Sequence, residues 1–433
     1  MKRWTVFVVL MGIVLLAQGQ RFYTPKSVLS EGQWVKISVS GSGIYKITAS
    51  QLKTWGLGPE ISSVSIQLFG NGGQVLPENT NGSYPDDLRE NAIEVVDGGD
   101  GKFDGQDYFL FYAPGPHAWT VDSVQRSFSY SKNPYTNKAF YFIRVNTSNG
   151  LRVMEENTFV QPLAYFDTFD DRYRFEKDSI NFLKSGKEWY GDLIGSSSTG
   201  IAGKSYSIPW LNVVPGSSLQ LVSEVVGRSF GQPNQISLKA NGTAISVQST
   251  APLLGNLLEP VANVSRVASE LSINSKTLQI DYAFTAGSVN AQAWLNWFEV
   301  YGKRTLDFSG LNQLEFRLID SKFIQQPSGF QIKNANSNVR IWNITQFEKP
   351  FKVKVDLTGT TIRFPFATGV YSEFIAFEPS AVLDVQFVSK VANQNLHGLE
   401  FYDMLVIADP LLKSEANRLL AFHASRGLKG YVA

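Results

Sequence analysis

The chain has 433 residues, enough for about three domains at roughly 150 residues each and for a sizeable core. Lys and Arg number 39 against 38 Asp and Glu, a net charge of +1, and that balance argues against a nucleic-acid groove, whose phosphates call for a basic excess. There is no cysteine, which removes disulfides, thiolate zinc sites, iron–sulfur clusters and a cysteine nucleophile from these residues.

Lys2 and Arg3 precede an apolar run over 4–16, and Ala17-Gln18-Gly19 supplies small residues after it. This reads as an export signal peptide over 1–19, because the run is short of the ~20 residues that span a bilayer. The mature chain is expected to be exported.

From Trp34 onward, short β runs alternate with turn residues. Positions 34–39 alternate with period two, Gly41-Ser42-Gly43 interrupts them, and 44–47 resume the pattern, as in a hairpin. Residues 50–55 suit a helical turn or two, and 64–69 form a strand closed by the turn signal Asn71-Gly72-Gly73. Runs at 108–112 and 140–145 complete an N-terminal β-rich domain over 20–162. A second β region fills 163–395, with strand-like runs at 219–226, 236–240, 277–283, 293–301, 339–342, 351–356, 361–364 and 374–377. That rhythm favours a β-sandwich or jelly roll.

Beyond 396 the character changes. Residues 403–408 are almost continuously apolar, the mark of a strand covered on both faces. Asp409 and Pro410 suit a helix start, Leu411, Leu412, Ala416, Leu419, Leu420 and Phe422 recur at helical spacing, and Gly427 fits the stop. Residues 431–433 restart a strand. The fold class expected is therefore mainly β, followed over 396–433 by the first β–α–β of a truncated α/β domain.

The densest carboxylate cluster holds Asp97, Asp100, Asp104 and Asp107 among glycines. A hard cation wants several oxygens from a flexible loop, so calcium is the candidate ligand. The EF-hand spacing is not met, and the plainer reading is turn chemistry. Gly203-Lys204-Ser205 lacks the preceding glycine of a phosphate loop and reads as a turn. His117, His397 and His423 are far apart and form no ligand pair. Asp86-Asp87 and Asp170-Asp171 read as solvated loop acids, and Trp189, Tyr190 and Trp210 as core before sugar platforms.

Several motifs follow one another in a set order. They are Gly32-Gln33-Trp34-Val35-Lys36-Ile37 with Gly43-Ile44-Tyr45-Lys46-Ile47, and then Asp107-Tyr108-Phe109-Leu110-Phe111-Tyr112-Ala113-Pro114-Gly115-Pro116. Ser185-Gly186-Lys187-Glu188-Trp189-Tyr190-Gly191, Ile341-Trp342-Asn343-Ile344-Thr345 and Asn393-Gln394-Asn395-Leu396-His397 come next. Together they resemble the N-terminal portion of the PorU-type sortases of the type IX secretion system, in the gingipain-type cysteine peptidase family. Residues 403–432 resemble the opening β–α–β of the caspase-type peptidase domain.

The resemblance implies a cell-surface enzyme, peripheral at the outer membrane, with a PorV-like β-barrel partner. Such enzymes remove the C-terminal signal domain of cargo proteins and attach them to anionic lipopolysaccharide. The implied chemistry is a cysteine attacking a peptide carbonyl, with a histidine as general base. In gingipain-like domains both groups lie beyond the first β–α–β, so no catalytic residue carries over. These residues by themselves are expected to be inactive, as a docking or scaffold region without a cofactor other than the candidate calcium. The alternative from another class is a free-standing exported β-sandwich that binds glycan or protein.

Overall fold

The computed structural model describes residues 23–433 except 80, 123, 157–159, 185 and 187. The signal peptide expected over 1–19 lies outside the described residues. Period-two alternation becomes strand at most places where it occurs, and the chain is mainly β. Among the described residues two α-helices form, Ala49–Trp55 and Lys413–Ala424.

Trp34–Val39 and Gly43–Thr48 do not form the expected hairpin. The first pairs with Ala139–Val145 and Gln386–Val391, the second with Tyr108–Ala113 and Leu383–Asp384. They lie in opposite sheets of a sandwich. Val35, Ile37 and Val39 share one core with Tyr45, Ile47, Phe109, Phe111, Tyr141 and Ile143. Placing the two strands face to face buries both apolar rows between layers about 10 Å apart, which edge-to-edge pairing would not do. Ile66–Phe69 and Glu90–Asn91 extend one sheet and Glu94–Val96 the other. Val64 and Ser65, expected as strand, lie in a 3-10 turn over Ser63–Ser65. The short helix starts with a reciprocal Thr48–Gln51 cap and stops at Gly56, whose φ of 85° suits glycine.

The second sandwich packs Thr168–Glu176, Gln292–Thr305, Ser218–Arg228 and Asn263–Ser272 against Gly203–Pro209, Thr277–Thr285, Asn234–Ala240 and Thr243–Thr250. Gly203-Lys204-Ser205, expected as a turn, opens a strand instead. Paired with Ala283, Gly203 leaves no room for a side chain, since a Cβ there would lie 2.3 Å from the Tyr282 carbonyl oxygen.

The third sandwich joins Met154–Glu155, Phe351–Lys352, Arg340–Asn343, Glu373–Phe377 and Gln313–Arg317 in one sheet. Ala164–Phe166, Ser328–Ile332, Thr361–Phe366 and Asp356–Thr358 make the other. The run expected over 351–356 is thus divided between two sheets. The core is rich in phenylalanine: Phe316 stacks on Phe374 at 5.6 Å and meets Phe330 edge-on at 5.1 Å. First and third sandwiches share a further apolar layer, with Ile44, Leu110 and Tyr112 from one against Trp342, Ile375 and Phe377 from the other.

At the C-terminal end, Met404–Val406 pairs in parallel with Gly430–Val432 around Lys413–Ala424. Asp409 accepts the Leu411 N–H at 2.9 Å, and Gly427 takes a φ of 84°. The β–α–β expected from the pattern is present.

Candidate functional site

A cleft of about 720 Å³ opens where the three sandwiches meet. Gln313–Arg317 supplies its floor. Period two puts Gln313, Glu315 and Arg317 on one face and sends Leu314 and Phe316 into the phenylalanine core. Thr168–Glu176 brings Asp171 and Arg172, and Arg304, Tyr112 and Glu373 come from neighbouring strands.

These side chains form one ion network. Arg317, 2% exposed, lies 3.2 Å from Glu373, 3.5 Å from Glu315 and 3.6 Å from Asp171. Arg172 reaches Glu373 at 3.2 Å, and Arg304 reaches Asp171 at 2.5 Å. The Tyr112 hydroxyl donates to Glu315 at 3.0 Å, and Tyr371 donates to Glu373. Burial pushes the Glu315 carboxyl up, with Arg317 opposing. Burial acts the same way on Glu373, but Arg317 and Arg172 outweigh it and hold that carboxyl below its ordinary value. Burial raises the Tyr112 hydroxyl well above its usual range, and Glu315 raises it further. Arg172, Arg304 and Arg317 face Asp171, Glu315 and Glu373, so the charges match in number.

A hairpin of the first sandwich, Ala118–Asp122 with Ser127–Ser131, closes one side. Arg172 lies 5.3 Å from the Trp119 ring and 4.9 Å from Phe128, and Arg174 lies 4.6 Å from Tyr130. Such cation–π contacts contribute about 0.5–2 kcal/mol each. Lys132 adds ion pairs to Glu176 at 3.0 Å and Asp178 at 2.6 Å.

The hydroxyls lining the cleft are already engaged. Ser42 Oγ accepts the Gly115 N–H at 2.9 Å, and Thr345 Oγ1 donates to Asn343 at 2.7 Å. His117 lines the cleft, but its Nδ1 accepts the Asn133 N–H at 3.1 Å, and burial followed by Lys132 lowers its pKa. The arrangement holds three domains in register.

The structure does not bring the four loop aspartates together. Asp97 accepts the Gly99 N–H at 3.0 Å, Asp100 the Lys102 N–H at 2.9 Å, and Asp107 the Asp104 N–H at 2.8 Å. These bonds close local turns, and Asp97 also bonds the Ser63 side chain. Among the described residues no group of three or more His, Asp or Glu is placed to hold a metal ion.

Asp170 and Asp171, expected as solvated loop acids, sit on a strand. Asp170 binds Lys303 at 2.7 Å and accepts the Ile319 N–H at 2.9 Å. His397 joins two segments far apart in sequence, with Nδ1 2.8 Å from the Thr24 carbonyl and 3.7 Å from Asp86. His423 lies in the last turn of the terminal helix. Trp210 is core and Trp189 is 43% exposed. The cleft escaped sequence reasoning. Its one local signal is the period-two Gln313, Glu315 and Arg317 between buried Leu314 and Phe316.

No protein-family model matches the chain, and no curated protein matches it by sequence. Among solved structures, dimeric latent PorU from Porphyromonas gingivalis superposes with a TM-score of 0.79 at 24% identity over 95% of this chain. The fold is PorU-like. The chain spans 38% of the length of that PorU. The C-terminal CBM6 of LamC, a marine laminarinase from Zobellia galactanivorans, aligns with 30% of this chain and 98% of its own. Its TM-score is 0.18 at 19% identity, too low to support an argument.

Proposed function

We propose that this chain is the non-catalytic β scaffold of a PorU-like type IX secretion sortase. In this reading it positions a cysteine peptidase domain against cargo, and the peptidase removes the cargo's C-terminal signal domain and links the cargo to anionic lipopolysaccharide. The observation that carries the reading is the PorU likeness over 95% of the chain, with three sandwiches followed by a β–α–β unit. The charge-matched cleft supports a scaffold role, since its ion pairs tie the sandwiches to one another. Cell-surface placement at the outer membrane and a PorV-like barrel partner belong to the same proposal.

Deleting the gene in its source bacterium and following a cargo protein by immunoblot tests it. Retention of the cargo's C-terminal domain is expected, and normal removal overturns the reading. The purified chain incubated with cargo should leave it uncut.

A further inference from the structure

Loops at one end of the second sandwich carry apolar side chains into water. Leu257 is 98% exposed and Leu258 95%, with Leu254, Val289 and Phe230 beside them at 79%, 84% and 50%. The loops are tied into one tip. Leu253 N–H donates to the Ser229 carbonyl at 2.8 Å, Phe230 N–H donates to Ser288 Oγ at 3.2 Å, and Ser197 Oγ donates to the Val289 carbonyl.

Several polar groups of this tip bond to one another. Both Glu259 carboxylate oxygens accept backbone N–H groups, of Leu254 at 2.8 Å and Gly255 at 2.6 Å. Asn263 Nδ2 donates to the carbonyls of Ala251 and Pro252 at 3.0 and 3.3 Å. Glu259 is the sole charged residue across 197–202, 229–233, 251–262 and 286–291.

We propose that this tip inserts into the surface of a lipid bilayer. Two features favour lipid over a protein partner. Adjacent leucines exposed almost completely stand clear of the rest of the surface and suit a medium that moulds around them, whereas a protein partner needs a shaped pocket. Backbone groups of Ala251, Pro252, Leu254 and Gly255 are bonded to side chains of the tip, which lowers the cost of taking them out of water. A neighbouring loop adds Leu183, 69% exposed, and Trp189, and it is anchored by Phe182, whose ring lies 4.7 Å from Trp294. The proposal stands whether or not the sortase reading does.

The test is co-sedimentation of the purified chain with vesicles of phosphatidylethanolamine and phosphatidylglycerol in equal parts. The native chain should sediment with vesicles and stay bound in high salt. The double variant Leu257→Asp with Leu258→Asp should bind about tenfold more weakly or less, because apolar burial drives insertion. Its melting temperature should not change, since both side chains are exposed. Leu258→Trp should show blue-shifted emission when vesicles are added. Absence of vesicle binding by the native chain, or equal binding by the double variant, overturns the proposal. So does light scattering that shows a native dimer converted to monomer by the double variant, because a second copy would then cover the tip.

Discussion

Gln313 of the third sandwich pairs with the backbone of Ile44 in the first. Its Oε1 accepts the Ile44 N–H at 2.7 Å, and its Nε2 donates to the Ile44 carbonyl at 3.1 Å. One side chain thus does what a neighbouring strand would do, and it joins the two sheets beside the cleft. Gly43 makes room for it, since a Cβ there would sit 3.0 Å from Gln313 Oε1 and 2.9 Å from Leu383.

Gln313→Leu removes both bonds and leaves the Ile44 amide and carbonyl without them. A loss of about 2–3 kcal/mol is expected from two unmade hydrogen bonds. Urea unfolding with limited proteolysis checks this. Stability should fall, and cleavage should rise at the junction before the sandwich cores open.

Arg317→Met isolates Glu373, Glu315 and Asp171 from their shared cation. Removing one partner of a buried ion network costs about 3–5 kcal/mol. The pH dependence gives a second readout. In the native chain Glu373 is held below its ordinary value, so its contribution is present above the unfolded pKa and lost as pH falls through the folded one. Without Arg317, burial of Glu373 is opposed chiefly by Arg172, so the variant has less of this contribution to lose. The gap to native should therefore narrow as pH falls below about 4.5, near the ordinary glutamate value. Thermal melts across that range measure it.

His117 gives an acid-side prediction. Its pKa is lowered by burial and by Lys132, and Nδ1 must stay unprotonated to accept the Asn133 N–H. The stabilisation from neutral His117 is therefore present above the unfolded value of about 6.5 and lost as pH falls through the folded value. His117→Gln should flatten this part of the melting-temperature profile below about pH 6.5.

Phe316→Ala tests the third core. The ring is fully buried and meets Phe330, Phe364 and Phe374. A loss of about 3–5 kcal/mol is expected for a buried phenylalanine truncated to alanine. Chemical denaturation measures it directly.

Much of the fold was legible in local pattern. The strands beginning near Trp34, Leu219, Thr277 and Ala293 follow their alternation, and the terminal β–α–β follows Asp409, the helical leucine spacing and Gly427. Strand partnership was not legible. Trp34–Val39 and Gly43–Thr48 carry a hairpin's pattern, yet each pairs elsewhere, because alternation specifies which face is apolar and not which strand lies alongside. Asp171 was misplaced for a related reason. Adjacent acids look solvated until Arg304 and Arg317 arrive from distant strands.

What the sequence determined by itself is the inventory of this protein: mainly β elements, a β–α–β at the end, near-neutral charge and no cysteine. Each follows from composition or from contacts within a few residues. The tertiary structure alone decided that the described strands form three sandwiches, that Gln386–Val391 completes a sheet with Trp34–Val39, and that the arginines and carboxylates of the cleft neutralise one another. Those outcomes depend on burial between segments far apart in the chain. Long-range packing selects among partners that local periodicity leaves equivalent.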